Sequence, residues 1–156
     1  MTQKTNEGTL PSLCDDSRIY TFGVLLEAMA QLNRTFDRSL REHAGINQSL
    51  FEGLLRIERS GGQLSMGELA DQVALTSGGV TRVVARLVDA GYAERRSCET
   101  DRRVQYVGIT DEGRSVLSHA LSIHLGDLEE HFTGKLTNAE RDTIVSVMER
   151  IRSAHS

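Results

Sequence analysis

From Ser17 to about His43 the apolar residues Ile19, Phe22, Leu25, Leu26, Met29, Leu32, Phe36 and Leu40 recur at steps of three, four and seven, the spacing that lines one face of a long helix. Gly45 stops that helix. The pattern resumes at Leu50, Leu54, Leu55 and Ile57 before a second stop at Gly61 and Gly62. Ser65, followed three residues later by Glu68, is a capping box opening a short third helix with Leu69, Ala70 and Val73 inward. Beyond Leu75 and Thr76 a fourth helix carries Val80, Val83, Val84, Leu87 and Val88 on one side and ends at Gly91. The pattern then ceases to be helical. "YAERRS" and "VQYVGIT" are short runs rich in β-formers around the polar "CETDRR", and they predict a hairpin with an arginine-lined tip. Thr110 reads as N-cap of a fifth helix, with Asp111 and Glu112 in its first turn and Val116, Leu117, Leu121, Leu125, Leu128 and Phe132 as its apolar positions. Thr137 and Glu140 form a capping box for a last helix bearing Ile144, Val147, Met148 and Ile151.

Two short helices joined by a tight turn, the second with hydroxyls, glycines and arginines near its start, read as a helix-turn-helix. The attached hairpin makes it a winged helix. The expected fold is therefore mostly α with a small β-hairpin, a winged helix-turn-helix flanked by N- and C-terminal helices. With 156 residues the chain is the size of one domain. Residues 1–16 read as a flexible N-terminal extension and 17–154 as a single domain, in which 17–46 and 112–154 flank the winged-helix lobe at 47–111. The first and last helices carry more apolar surface than a compact winged helix has to cover, so a partner surface, most simply a second copy, is expected.

Composition narrows the functional classes. No apolar run approaches the roughly 18 residues of a membrane span, and the polar start lacks the apolar core of a signal peptide, so no membrane partner and a cytoplasmic location are expected. Cys14 and Cys98 are far apart with no metal-ligand spacing, which gives neither a disulfide framework nor a zinc knuckle. The sequence holds no nucleophile elbow, phosphate loop, zincin motif or glycine fingerprint, so no enzyme and no cofactor are expected. A net charge of −4 argues against indiscriminate coating of nucleic acid but permits a local basic surface. Such surfaces exist. Thr76 to Leu87 holds Arg82 and Arg86 and no acid, and Glu94 to Val107 holds Arg95, Arg96, Arg102 and Arg103 against Glu94, Glu99 and Asp101, a net of only +1. The loop's task is thus to place an arginine, since bulk attraction is small.

The stretch "LADQVALTSGGVTRVVARLVDAGYAERRSCETDRRVQYVGITDEGR" closely resembles the MarR family, the multiple-antibiotic-resistance type of winged helix-turn-helix transcriptional regulator. The specific pieces are "RLVDAGYAERR", the wing-tip "DRR" at 101–103 and "ITDEG" at 109–113, where the family usually has Leu-Thr-x-x-Gly. The helix order matches over Ser17 to Ala154, and the first sixteen residues carry no family feature. The resemblance implies a homodimer built from the first and last helices, binding a pseudo-palindromic double-stranded DNA operator, usually as a repressor, and releasing it when a small-molecule effector binds. It further implies that Arg103 enters the minor groove while Asp101 steadies the wing tip, a division that suits the focused negative potential of a narrow groove.

On that reading the DNA-binding candidates are Thr76, Ser77, Gly78, Gly79, Thr81, Arg82 and Arg86 on the fourth helix and Arg96, Arg102 and Arg103 on the wing, with Asp101 as wing scaffold. Arg82 suits a base edge, and Arg86 a phosphate or a structural ion pair. Strand alternation sends Arg95 and Arg96 to opposite faces, so at most one of them meets DNA. The family's ligand pocket lies between the dimer helices and the lobe, and Arg18, Tyr20, Arg34, His43 and His119 are its positional candidates. No metal site is assigned. His124, Asp127 and His131 share one helical stripe, and His43 and His119 fall in regions that supply zinc ligands in a metal-sensing branch, but a solvated polar face is the commoner outcome for such a set. A metal- or redox-responsive regulator of the same fold, or a winged helix used for protein association, are the alternatives.

Overall fold

The computed structural model describes residues 10–72, 77–97 and 105–154. Two compact units divide the chain, one up to Thr35 and one from Phe36 onward. The first contains α1 (Leu10–Cys14), which the sequence pattern did not reveal, and most of α2 (Ser17–Ala44). Asp16 opens α2: its carboxylate accepts the Arg18 backbone N–H at 2.8 Å and grips the Arg18 guanidinium at 2.7 and 2.9 Å. Those bonds from Arg18 hold the Asp16 carboxyl down to about 2. Along this stretch the apolar stripe faces outward, with Ile19, Phe22, Leu25, Leu26 and Met29 exposed.

In the second unit the same stripe turns inward, and Phe36 and Leu40 are buried. The end of α2 is followed by α3 (Gln48–Arg59), β1 (Gln63–Ser65), α4 (Met66–Gln72) and α5 (Ser77–Asp89). Then come β2 (Ala93–Ser97), β3 (Gln105–Ile109), α6 (Asp111–His131), a single 3₁₀ turn at Thr133–Lys135 and α7 (Asn138–Ser153). The core is built from Leu50, Phe51, Leu54 and Ile57 of α3, Leu69 of α4, Val80, Val84 and Leu87 of α5, and Leu117 and Ala120 of α6. Leu64, Ala93, Val107 and Ile109 complete it from the sheet.

The capping signals act as the sequence predicts. Ser65 and Glu68 exchange both bonds of a capping box, Thr110 accepts the Gly113 N–H, and Thr137 and Glu140 form a second box. Gly45, Gly61, Gly62 and Gly91 all adopt positive φ at the predicted helix ends. The sheet departs from expectation. It has three strands in the order β1-β3-β2, all antiparallel, with Leu64 and Arg95 flanking Val107 on either side. Three residues are too few for a legible alternation, and β1 is a strand only because β3 offers it a free edge.

Candidate nucleic-acid interface

Helix α5 is held as a lever on the core. Val80, Val84 and Leu87 are buried and Val83 half-buried. Gly53 of α3 lets the two helices approach closely, because a Cβ there would lie 3.1 Å from both Leu87 Cδ1 and Val83 Cγ1. The far end of α5 closes in a Schellman turn, with Tyr92 N–H bonded to the Leu87 carbonyl and Gly91 N–H to that of Val88. Burying one side fixes what the other side presents. Gly78, Thr81, Arg82 and Arg86 are exposed and Gly79 is partly covered. Arg82 and Arg86, one turn apart, make no ion pair among the described residues. Ser77 begins the helix, whereas Thr76 lies outside the described residues, as do Cys98, Asp101, Arg102 and Arg103 of the wing tip.

The described base of the wing distinguishes its two leading arginines. Glu94 and Arg96 lie on one face of β2 and form an ion pair with each other. Arg95 lies on the opposite face, exposed and without an ion-pair partner among the described residues. Alternation predicted that separation, but the neutralisation of Arg96 depends on side-chain reach that sequence does not display.

The predicted pocket residues have separate fates. Arg18 is held by Asp16, Tyr20 is 73% exposed, and Arg34 is exposed on α2. His43 and His119 are brought together: His119 Nε2–H donates to the His43 carbonyl at 3.0 Å, and His43 Nδ1–H to the Ser39 carbonyl at 3.0 Å. A second bond ties the end of α2 to α3, since Asp37 accepts the Gln48 N–H at 2.9 Å at the start of α3.

The stripe of His124, Asp127 and His131 is not the solvated face that its composition favoured. His124 is wedged between Phe36 and Phe51, with ring centroids at 5.0 and 4.9 Å. Burial pushes its imidazole below the ordinary range, against the pull of Asp127 and Glu52. His124 Nδ1, Asp127 Oδ2 and Arg56 Nε are buried without hydrogen-bond partners among the described residues. Phe36 was read from the sequence only as part of an apolar stripe and Phe51 and Arg56 were not singled out, and the usable signal was the i, i+3 pair of His124 and Asp127. His131 stays exposed. Among the described residues no three His, Cys, Asp or Glu side chains are gathered to hold a metal. No helix among them is long and apolar enough to cross a membrane.

Comparison with known proteins gives this geometry its context. Residues 54–104 match the model of the MarR family. The chain is 27% identical over 130 residues to the HTH-type transcriptional regulator MhqR of Bacillus subtilis, covering 83% of this chain and 88% of that one. A MarR family regulator from Streptomyces coelicolor solved in complex with DNA superposes with a TM-score of 0.83 at 26% identity, covering 88% and 90% of the two chains. A mutant MarR from E. coli complexed with operator DNA gives 0.71 at 26% identity, covering 86% and 95%. A winged helix with an exposed basic face on α5, matched along most of its length by regulators solved with DNA, leaves one assignment: the chain belongs to the MarR family of DNA-binding transcriptional regulators.

Proposed function

We propose that the chain acts as a homodimer that binds a pseudo-palindromic operator, represses neighbouring genes, and releases DNA when a small aromatic or carboxylate molecule binds. The observation that carries the DNA part is the outer face of α5, where Arg82 and Arg86 stand exposed opposite the buried Val80, Val84 and Leu87. In the major groove Thr76, Ser77, Gly78, Gly79, Thr81 and Arg82 face bases and nearby phosphates, and Arg86 meets the backbone. Arg103 takes the minor groove, with Arg102 beside it and Asp101 steadying the tip. Arg95 is favoured over Arg96 as the contact from the base of the wing, because Arg96 is already paired with Glu94. The exposed apolar residues of α2 and of α7 support a second copy as partner, which sets two recognition helices about 34 Å apart, one helical turn of DNA.

The effector part rests on the His124 cluster. The two phenyl rings against His124, with three buried polar atoms that have no hydrogen-bond partner among the described residues, support a small ring carrying a hydroxyl or carboxylate.

The test is selection from a random duplex pool, followed by fluorescence anisotropy on the enriched sequence. An inverted repeat bound by two chains is expected, with affinity falling steeply as salt rises. Arg82→Ala should cost about 1–3 kcal/mol and relax one base position, while Arg103→Glu should abolish specific affinity. Enrichment of no palindrome would favour a protein partner, and undiminished operator binding by Arg103→Glu would remove the wing from the reading. Phenols and aromatic acids, added singly to the complex, test the effector by displacement.

A further inference from the structure

The first turn of α6 joins three segments that must hold still for a wing to be aimed. Thr110 Oγ1 accepts the Gly113 N–H at 3.0 Å and donates to the Gly91 carbonyl at 2.7 Å, so one hydroxyl both caps α6 and grips the turn leaving α5. Thr110 N–H adds a bond to the Tyr92 carbonyl at 3.1 Å. Gly113 follows from this contact, because a Cβ there would run into the same Tyr92 carbonyl. On the other side stands Arg114. Its Nε donates to Glu58 in the last turn of α3 at 3.1 Å, and its Nη1 to Asp111 at 3.4 Å. Its Nη2 covers Gly62 so closely that a Cβ on that residue would sit 2.7 Å away. The Gly62 carbonyl accepts the Ile109 N–H at 2.9 Å, and the next residue, Gln63, pairs with Gly108.

We propose that Arg114 is a positioning residue for the wing, fixing the pitch of β3 against α3 and the recognition helix without touching DNA itself. The Arg114 and Glu58 side chains are 46% and 41% exposed, so their pairing adds little to stability and its value is directional. Thr110 and Gly113 fix the wing root to α5, and Arg114 sets its remaining freedom against α3. A strand of five residues is about 16 Å long, so a tilt of about 4° at its root moves the far end by about 1 Å. That is enough to break a hydrogen bond to DNA. The assignment rests on the reading that the wing meets DNA.

The test is a double-mutant cycle on a fluorescein-labelled duplex carrying the selected inverted repeat, with a scrambled duplex alongside. Arg114→Gln should weaken operator binding about fivefold to tenfold and leave scrambled-duplex binding and the melting temperature nearly unchanged. In the Arg103→Ala background the same change should cost less than about twofold, because a wing without its contact gains nothing from being aimed. Glu58→Gln should match Arg114→Gln without adding to it, and Arg114→Lys, which keeps the charge and loses the fork, should fall between. Operator binding by Arg114→Gln equal to the wild type, or an equal loss in both backgrounds, overturns the proposal while leaving the wing reading intact. Wild-type binding by Arg103→Ala overturns both.

Discussion

Helices α5 and α7 are alike on paper: 13 and 16 residues, each with an apolar stripe at helical spacing. Yet α5 buries Val80, Val84 and Leu87, whereas α7 buries no residue and leaves Ile144, Val145, Met148 and Ile151 exposed. The periodicity says which face is apolar and nothing about what covers it. For α5 the cover is α3 and the sheet; for α7 a second chain is the proposed cover, as it is for the outward residues of α2. The lobe that would read DNA is complete within one chain, while the surface that would space two lobes is not. Specificity for a two-fold operator needs that division.

The largest effects are expected in the lobe. Leu54 of α3 is fully buried in the lobe's core, so Leu54→Ala should cost about 2–5 kcal/mol in urea denaturation. A loss below about 1 kcal/mol would mean that the lobe's core is not the close-packed one described. Gly113→Ala should cost about 1–3 kcal/mol by forcing α6 away from Tyr92, and operator affinity should fall with it; unchanged stability would show that the junction gives way freely.

On the other side of the comparison, Met148→Glu should leave the lobe's far-ultraviolet circular dichroism intact and raise the dimer dissociation constant about thirtyfold in sedimentation equilibrium. If α7 is covered by nothing, the association state will not move. The smallest effect is the pH dependence of the His124 cluster. The His124 imidazole is held below its ordinary 6.5, so the folded protein binds fewer protons than the unfolded chain as pH falls through 6.5. This residue's contribution is therefore present above that pH and lost below it. His124→Leu should flatten the slope of melting temperature between about pH 7 and 5. An unchanged slope would show that His124 does not set the acid sensitivity in that range; Asp37 acts in a different one. Burial raises the Asp37 carboxyl, but the Arg41 guanidinium and the Gln48 N–H outweigh it and hold it below the ordinary range. Its contribution fails at lower pH than that of His124.

The helices after α1, and their ends, were legible in the sequence because their causes are local. A capping box spans three residues, a glycine stop one, and an apolar stripe repeats within a turn, so Ser65 with Glu68, Thr110, Thr137 with Glu140 and the four glycine ends could be read directly. The outer face of α5 was legible for the same reason: once Val80, Val84 and Leu87 point inward, Thr81, Arg82 and Arg86 must point out. Most of the remaining features arise from contacts between segments far apart in the chain. β1 exists because β3 lies beside it, more than forty residues along the chain. His124 is covered because Phe36 and Phe51 arrive from two other helices, and Arg96 is paired because Glu94 reaches it. Local hydrogen bonds and periodicity depend on neighbours in sequence, whereas burial, strand pairing and the reach of a charge depend on neighbours in space, which a single chain's pattern does not name.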